Sequence, residues 1–436
     1  MKKNKILATI GALAAVATIA TSCGDQGAAL GDWTSVPVEQ LEEVNIGEKI
    51  TPDADKLAKY TEENPLKIAL VTDSGTLNDH SFNESAWNGV NAFAVANGGG
   101  EINNQNIVNT GTIHTQYYQP AEGDYDTNGR YTAMREAAVE FGADVIVLPG
   151  YLFQGAIELA INDPDFADVE LLALDCVKEN DNYEPYEYTE HVTSVIYREE
   201  QGGFFAGYGA VMDGYKKLGF VGGMAVPAVV RYGSGYVQGA AYAAKELGLE
   251  EPVQIQYYYA GEFAATTAAT TYATNWYANG NAEVIFACGG AVYQSVLQAS
   301  QSNNNAPWIG VDVNQHADTS ITTRDSIITS AMKNLSEATQ VLLATWVDND
   351  GAWSDLLAGE VVTVGAQSGM CKLPTPEEDN DPDCWGFDTF TEAQYQEIYD
   401  KVVGGEVTVN SYSDNNVLSE NNFGVDPQYC VVNYIG

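Results

Sequence analysis

Polar and aromatic side chains follow the ends of several apolar, strand-like runs in this sequence. Asp73 and Ser74 come directly after residues 68–72, and Asp312 follows a similar run that begins at Trp308. In open α/β sheets ligands bind beyond the carboxyl ends of the strands, so side chains at these points are candidates for a binding site. Aromatic rings stack on flat groups and carboxylates accept hydrogen bonds from hydroxyls, so the pattern predicts non-covalent binding of a flat, hydroxylated small molecule. The candidate set is Asp73, Ser74, Phe82, Tyr232, Gly289, Gly290, Asp312 and Lys333.

Catalytic signatures are missing from the sequence. It contains neither a GxxxxGKS/T phosphate loop nor a GxSxG nucleophile elbow. The GxGxxxG stretch that begins at Gly233 lies well past the preceding strand-like run, whereas a dinucleotide fingerprint opens directly at a strand-to-helix turn. The histidines fall in no nucleophile–base pattern; they are His80, His114, His191 and His316. We therefore predict a binding protein that is not an enzyme and has no cofactor.

Two acidic turns, residues 348–351 and 379–383, look like fragments of calcium loops. Neither has the full ligand spacing with its distal glutamate, and no Cys/His spacing suggests zinc. Both turns are interpreted as solvated surface, and no metal site is predicted.

The charge of the chain limits its partners. Among 436 residues, 60 are acidic and 19 are basic, which gives a formal net charge of −41. Nucleic acids and anionic lipid surfaces bind cationic faces, so this balance argues against both. The length favours two or more domains or lobes.

The first 22 residues have the pattern of a secretory signal peptide. A basic start precedes the apolar residues 6–20, which are too few for an ordinary membrane span. Small residues then precede Cys23, as in a bacterial lipoprotein signal, although Ala20 replaces the usual leucine. We expect lipidation of Cys23 and a location on the extracytoplasmic face of the bacterial cell membrane; cleavage near Ala20, with Cys23 incidental, is the alternative. Residues 23–64 are expected to be a tether.

The remaining cysteines are expected in two settings. Cys176 and Cys288 end apolar strand-like runs and are predicted to be buried thiols. Cys371 and Cys384 flank a loop rich in proline and acidic residues. Because exported chains can form disulfides, a bridge between these two that closes a hairpin is a possible cross-link.

From residue 67 onward, short apolar strands alternate with helical stretches. This alternation predicts parallel sheets that are covered by helices on both faces. The strand candidates are too many for one sheet, so the predicted fold class is α/β, with two doubly wound lobes joined by a hinge. Lobe one is expected over 67–191 and 326–365 and lobe two over 192–325. Residues 366–436 are expected to form a C-terminal segment with an insertion and a tail.

Several stretches are specific when their order and spacing are taken together. They read VTDSGTLNDHSFNESAWNGV, SVIYREEQGGFFAGYGA, LGFVGGMAVPAVVRYGSGYVQGA, VIFACGGAVYQSVLQAS, WIGVDVNQ and ITSAMKN. In them the chain resembles the basic membrane protein family, the purine-nucleoside receptors of ATP-binding-cassette (ABC) importers, over about residues 67–365, with weaker similarity through Val407. The resemblance implies a type I periplasmic-binding-protein fold, in which two Rossmann-like lobes close on a ligand about a three-strand hinge.

The resemblance assigns the aromatic candidates to the two faces of a nucleobase. Phe82 and Tyr232 would sandwich the base, and Gly289 or Gly290 would line the pocket. The family usually has phenylalanine at the second aromatic position, so Tyr232 brings a hydroxyl group that needs a partner. The structural alternative for both rings is an ordinary place in the core.

The polar candidates receive roles in the same way. Asp73, with Ser74 beside it, matches the acid that follows the first strand of the family. Asp312 and Lys333 would address the ribose hydroxyls, although this chain reads TSAMK where the family reads TSMxK. The alternatives are that Asp73 and Asp312 cap helices and that Lys333 is a surface lysine.

The sequence therefore predicts a lipid-anchored solute-binding protein that captures a nucleoside, with purines favoured. It would act as a monomer and deliver the nucleoside to the permease and ATPase subunits of an ABC importer. Two other functions are kept open: a binding protein for a sugar or autoinducer-type ligand, and a surface sensor or adhesin that has this fold but no transport role.

Overall fold

The structure, a computed structural model, describes residues 33–73, 76, 77, 79–101 and 107–436. The predicted signal peptide, the lipidation candidate Cys23 and the site candidate Ser74 lie outside the described residues. Within the described ranges, strands and helices alternate along most of the chain. The strands are β1 (Leu66–Val71), β2 (Ile113–Tyr118), β3 (Val145–Pro149), β4 (Glu170–Leu174), β5 (Val192–Tyr197), β6 (Lys217–Gly222), β7 (Val253–Tyr259), β8 (Val284–Cys288), β9 (Trp308–Asp312), β10 (Ile327–Lys333), β11 (Val361–Val364), β12 (Cys371–Lys372) and β13 (Cys430–Ile435). The α-helices are α1 (Ala54–Leu57), α2 (Phe82–Ala96), α3 (Thr127–Arg135), α4 (Gln154–Ala160), α5 (Glu199–Met212), α6 (Pro227–Leu247), α7 (Thr267–Ala278), α8 (Tyr293–Ser302), α9 (Leu335–Asp348), α10 (Glu392–Val403) and α11 (Asn415–Glu420).

The first lobe is built on a parallel sheet with the strand order β11-β5-β4-β3-β1-β2 over the described residues. Its central strands are apolar on both faces, since Ile68, Ala69, Leu70 and Val71 are all fully buried. One face packs against α2 and α9 and the other against α3 and α4. Two-sided burial explains why these strands read as continuous apolar runs.

The second lobe is built on a sheet with the order β12-β10-β9-β8-β6-β7-β13 over the described residues. Its strands are parallel except for β12, which pairs antiparallel with β10. Helices α5 and α6 cover one face, and α7 and α8 cover the other. The two sheets confirm the predicted α/β class with two doubly wound lobes.

The chain crosses between the two sheets at three places. It passes from β5 to α5 at Arg198, from β10 to α9 at Asn334, and from β11 to β12 through residues 365–370. The resulting lobes differ from the predicted boundaries at two strands: Val192–Tyr197 belongs to the first sheet and Ile327–Lys333 to the second. Each of these strands pairs in parallel with the strand before it in sequence, β4 or β9, and the crossing follows the strand instead of preceding it.

Residues 33–65, here called the N-terminal strap, do not form the predicted free tether. Val36 is buried in the core of lobe two and Ile46 in the core of lobe one. The strap also adds a backbone bridge to the edge of the first sheet, where Glu43 pairs with Thr363. The polar composition of the strap did not indicate this packing. The strap is held by a few buried apolar side chains and by backbone pairing, which composition does not reveal.

Much of the C-terminal segment packs on lobe two, and its last residues form a strand of the second sheet. Strand β13 pairs in parallel with β7 along its whole length and completes one edge of the second sheet. Helix α10 packs on the same lobe through Tyr395, Ile398 and Val402, which are buried in its core. Across the described part of the chain, no helix combines the length and the apolar character needed to span a bilayer.

Cys371 and Cys384 are buried free thiols, so the possible disulfide between them is not formed. Cys371 lies opposite Lys333 at one end of β10, whereas the N–H of Gly386 bonds to the carbonyl of Ile328 near the other end. These two contact points are roughly 16 Å apart at the rise of a β-strand. Cys384 is only two positions before Gly386, and this short length of chain cannot reduce the gap to the Cα separation of about 7 Å or less that a disulfide needs. Cys176 and Cys288 are buried thiols, as predicted.

Candidate ligand-binding cleft

A cavity of about 410 Å³ lies where the carboxyl ends of the strands of both sheets face each other. This volume falls in the range usual for small-molecule sites. The structure brings seven predicted site residues to its wall: Asp73, Phe82, Tyr232, Gly289, Gly290, Asp312 and Lys333. Tyr151, which follows β3, also lines it.

On the lobe-one side, Asp73 comes two residues after β1 and is almost fully buried. Its carboxylate accepts a 3.4 Å hydrogen bond from the side-chain amide of Asn83. Gly150, at the end of β3, has φ +128°, and a Cβ there would lie 2.5 Å from an Asp73 carboxylate oxygen. Only glycine fits this position, because a side chain would displace the carboxylate from the cavity wall.

The start of α2 places the aromatic ring of Phe82 on the cavity. The Asp79 carboxylate accepts hydrogen bonds from the backbone N–H groups of Ser81, Asn83 and Glu84 at 2.9–3.2 Å, so it caps the first turn of the helix. Burial raises the pKa of Asp79 to about 7, against the opposing effect of these donors. Phe82 is only partly buried, and the ammonium group of Lys333 lies 4.8 Å from the centroid of its ring.

Tyr232, on α6, has the hydrogen-bond partner that its hydroxyl group requires. The hydroxyl donates to Asp312 at 3.3 Å, and burial together with the Asp312 charge raises the pKa of Tyr232 well above its ordinary value. The tyrosine therefore stays neutral and remains the donor. Its ring packs edge-on against Phe286, with centroids 6.0 Å apart, which fixes the ring at the cavity wall.

Lys333, the last residue of β10, is not a surface lysine. It is 1% exposed, and its ammonium lies 2.5 Å from Asp175 and 2.6 Å from Glu199. Burial alone would lower the pKa of Lys333, but the carboxylates of Asp175, Glu199 and Asp312 outweigh it, and the pKa is raised. Since an ammonium has three N–H donors and two are already directed at carboxylates, Lys333 retains one donor for a ligand.

Asp175 is a cavity residue that sequence reasoning missed. It follows β4 directly and has φ +67°, in the left-handed region that is costly for residues other than glycine. One carboxylate oxygen binds Lys333, while the other, Oδ1, is buried without a hydrogen-bond partner among the described residues. The Oδ1 atom of Asn83 on the same cavity is likewise unpartnered. The strand end at LLALD has the same pattern as the one at Asp73 and could have identified Asp175.

Phe263 is a further aromatic residue on the cavity wall, contributed by the loop after β7. A Cβ on Gly223 would lie 2.6 Å from its ring, and a Cβ on Gly289 would lie 3.2 Å from it. A Cβ on Gly290 would meet the Phe263 carbonyl oxygen at 3.0 Å. The glycines therefore leave room for Phe263, which explains their positions without requiring a ligand in contact with their backbone.

The two lobes touch at one side of the cavity. Gln315, in the loop after β9, donates a 3.2 Å hydrogen bond to the carbonyl of His80 just before α2. The imidazole of His80 lies 2.9 Å from the Asp318 carboxylate of the same lobe-two loop. These contacts join the loop that precedes Phe82 to the loop that follows Asp312, so they connect the two lobes at this side of the cavity.

The side chains that line the cavity are of the kinds that bind a small molecule non-covalently. Among the described residues no group of three or more His, Cys, Asp or Glu side chains is arranged to hold a metal ion. The described lining residues offer aromatic faces, buried carboxylates and one ammonium. Two lobes around a cavity of this kind define a solute-binding protein.

The chain belongs to the Bmp family, described as ABC transporter substrate-binding proteins that are PnrA-like. The family model matches residues 66–403. This match confirms the resemblance found in the sequence, including the weaker similarity expected beyond residue 365. It also agrees with the prediction of a substrate-binding protein and not an enzyme.

Two curated relatives illustrate the similarity. The chain is 29% identical over 261 residues to the "ABC transporter nucleoside-binding protein BmpA" of Lactococcus lactis subsp. cremoris, covering 57% of this chain and 64% of the relative. It therefore spans just under two thirds of the length of that relative. It is 26% identical over 373 residues to the "CD4+ T-cell-stimulating antigen" of Listeria monocytogenes, covering 82% of this chain and 91% of the relative.

A solved structure shares the fold. The ABC transporter solute-binding protein from Aeropyrum pernix K1 superposes with a TM-score of 0.62 at 19% identity, covering 83% of this chain and 98% of that one. This likeness confirms the two-lobe architecture of periplasmic solute-binding proteins.

Proposed function

We propose that this protein captures a purine nucleoside in the cleft between its lobes and delivers it to an ABC importer. The observation that carries the proposal is the combination, in one cavity between the lobes, of aromatic walls and buried acceptors that have no donor among the described residues. Phe82 and Tyr232 approach the cavity from different lobes, and Asp175 and Asn83 each offer an oxygen that has no hydrogen-bond partner in the described part of the chain. A nucleoside fits both features, because its base can stack on the aromatic rings and its hydroxyls can donate hydrogen bonds to these oxygens.

The buried acceptors favour a ligand rich in donors. An unpaired buried oxygen costs about 1–3 kcal/mol, and a ligand hydroxyl that reaches it recovers that free energy. Asp175 would thus accept from a ribose hydroxyl, while the remaining donor of Lys333 would bond a ligand oxygen. Asp73 and Asp312 remain proposed contacts at the two strand ends, and Ser74 is proposed beside Asp73.

The charge of the cavity favours a neutral ligand. Lys333 is the sole cation among the described lining residues, and two carboxylates already neutralise it. The acidic lining residues are Asp73, Asp79, Asp175, Glu262 and Asp312. A phosphate group brought into this low-dielectric site would be repelled, so we propose that the ligand is a nucleoside and not a nucleotide.

The relatives support the same ligand class, since one of them is named as a nucleoside-binding protein. Delivery to permease and ATPase subunits, lipidation at Cys23, action as a monomer and a place on the extracytoplasmic face of the membrane belong to the same proposal. They rest on the family and on the sequence of residues 1–23.

Thermal-shift screening of the purified protein with nucleosides, free bases and sugars tests the proposal. A purine nucleoside at a hundredfold excess over its Kd should stabilise the protein by about 2.7 kcal/mol. A shift with sugars alone would favour the sugar-binding alternative. No shift with any of the three classes would contradict capture of a nucleoside and favour a sensor or adhesin.

A further inference from the structure

A row of alternating charges connects the N-terminal strap to the cavity. Glu39 Oε2 on the strap lies 3.4 Å from Arg231 Nη1, and Arg231 Nε lies 2.7 Å from Glu199 Oε2. The other oxygen of Glu199 lies 2.6 Å from Lys333 Nζ, which is 2.5 Å from Asp175. Each inner member is therefore shared between two groups of opposite sign, and the row ends at a carboxylate that lines the cavity.

The inner members of the row are shielded from water. The side chains of Arg231, Glu199, Lys333 and Asp175 are at most 5% exposed, whereas Glu39 is 29% exposed. Charges interact strongly in such a setting, and a change in one pair alters the next. Burial raises the pKa of Glu199, but Lys333 and Arg231 outweigh it and the pKa is lowered, so Glu199 stays ionised between them.

Glu39 is held in place by the C-terminal segment. Its carboxylate accepts a 2.7 Å hydrogen bond from the Ser411 hydroxyl, and its N–H donates to the Ser411 carbonyl at 2.9 Å. Both residues lie outside residues 66–403, the part of the chain that the family model matches. The outer end of the row is therefore supplied by segments beyond that match.

We propose that Glu39 is a positioning residue of the ligand site, which acts through Arg231 and Glu199 to hold Lys333. With Glu39 charged, Arg231 is shared between two carboxylates and Glu199 can bind Lys333. Without that charge, Glu199 is drawn towards Arg231 and Lys333 depends more on Asp175. This inference rests on the proposed function only in treating the cavity as the ligand site.

The ammonium protons of Lys333 report on this role in the ligand-free protein. In protein labelled with ¹⁵N-lysine, the Nζ signal is assigned by its loss in Lys333→Met, and its proton exchange rate is measured near pH 7. The structure predicts a protected, observable signal. Glu39→Gln should accelerate exchange at least about threefold. Glu39→Asp keeps the charge on a shorter side chain, so its exchange rate should lie between those of the unchanged protein and Glu39→Gln. An unobservable wild-type signal, or an unchanged rate in folded Glu39→Gln, would overturn the inference.

Two control variants separate an electrostatic role from a mechanical one. Glu42→Gln removes an exposed charge of the same strap that has no ion pair with the described residues, and it should leave exchange unchanged. Ser411→Ala removes the support of Glu39 but keeps its charge, so its effect should be much smaller than that of Glu39→Gln. Equal acceleration by Ser411→Ala and Glu39→Gln would show that the strap acts only as a brace, and would overturn the assignment.

A double-mutant cycle with inosine as the probe extends the test to binding. Glu39→Gln should weaken inosine binding about 3- to 10-fold in the otherwise unchanged protein and less than about twofold in the Lys333→Met background. Equal losses of inosine affinity in both backgrounds would overturn the proposal that Glu39 acts through Lys333. If no nucleoside binds the unchanged protein, the proposed function fails, whereas the exchange rates still decide the role of Glu39.

Discussion

The Ser81 hydroxyl donates a 2.5 Å hydrogen bond to the Asp312 carboxylate across the cleft. Ser81 immediately precedes Phe82 in lobe one, and Asp312 accepts from Tyr232 in lobe two through its other oxygen. A single carboxylate thus joins the two aromatic positions. Burial raises the pKa of Asp312, and the opposing effects of Lys333 and the Ser81 hydroxyl reduce this rise without cancelling it.

Removing the Ser81 hydroxyl should favour the open cleft. In Ser81→Ala, Asp312 loses a hydrogen bond to a charged group, which is typically worth about 1.5–3 kcal/mol. We expect ligand affinity to fall roughly tenfold or more, since only the closed state holds that bond. Calorimetry measures the affinity and small-angle scattering the radius of gyration, with the exposed Ser320→Ala as the control. Unchanged affinity and scattering would show that the bond does not contribute to closure.

The Phe82 ring should contribute to binding as a stacking surface. Phe82→Leu keeps an apolar side chain but removes the ring, and loss of a base–aromatic stack costs about 1–3 kcal/mol, or roughly 5- to 160-fold in Kd. Phe141→Leu is the matched control, because Phe141 is also a lobe-one phenylalanine with a lysine ammonium over its ring, at 5.6 Å, but does not line the cavity. Equal affinities for the two folded variants would remove Phe82 from the site.

The free energy of unfolding of the protein should decrease as the pH rises from mildly acidic to neutral. Burial raises the pKa values of Asp79 and Glu200 to about 7 from ordinary values of 3.8 and 4.5. Between those limits the folded protein holds protons that the unfolded chain has released, so the free energy of unfolding decreases as pH rises from about 4 to 7. The loss is on the order of a few kcal/mol.

Melting temperatures at pH 5 and pH 8 measure this trend. The measurement belongs in 1 M salt, where the repulsion expected from the net charge of −41 is screened. The Glu200→Gln variant should show a shallower decline, because one of the carboxyl groups whose pKa is raised by burial is gone. A melting temperature that rises from pH 5 to pH 8 in high salt would contradict the predicted fall in stability.

The cavity residues that could be found from sequence share one local pattern. Asp73, Asp312 and Lys333 each stand at or just after the end of an apolar strand, and parallel strands bring such ends to a common edge. Asp175 has the same pattern and could have been found by it, although a cysteine and a long loop follow it instead of a helix start. Its importance lies in a contact with Lys333 from the other lobe, which no local pattern encodes.

The lobes could be predicted as a class but not in their boundaries. Alternating strands and helices identify doubly wound sheets, whereas the sheet that receives β5 or β10 depends on which neighbouring edge is free to pair. The packing of the N-terminal strap could not be predicted for a related reason. Its attachment depends on distant partners such as Thr363 and on isolated apolar residues such as Val36 and Ile46.

The thiols of the described residues should be free and shielded. Cys176, Cys288, Cys371, Cys384 and Cys430 are all buried without a cross-link. Iodoacetamide should therefore alkylate all five after denaturation without a reductant, and dithiothreitol should leave the melting temperature unchanged. Mass spectrometry provides the count, and a peptide that links Cys371 to Cys384 would contradict the structure.

Calorimetric titration of the purified protein with a purine nucleoside and with its 5′-monophosphate tests the proposed function most directly. The aromatic walls, the acceptors that have no partner among the described residues and the acidic lining predict micromolar or tighter binding of the nucleoside, about −8 kcal/mol or better. The monophosphate should bind at least about a hundredfold more weakly, because its charge enters a cavity whose one described cation is already paired. Absence of nucleoside binding at millimolar concentration, or equal affinity for the nucleoside and its monophosphate, would contradict the proposed capture of a neutral nucleoside.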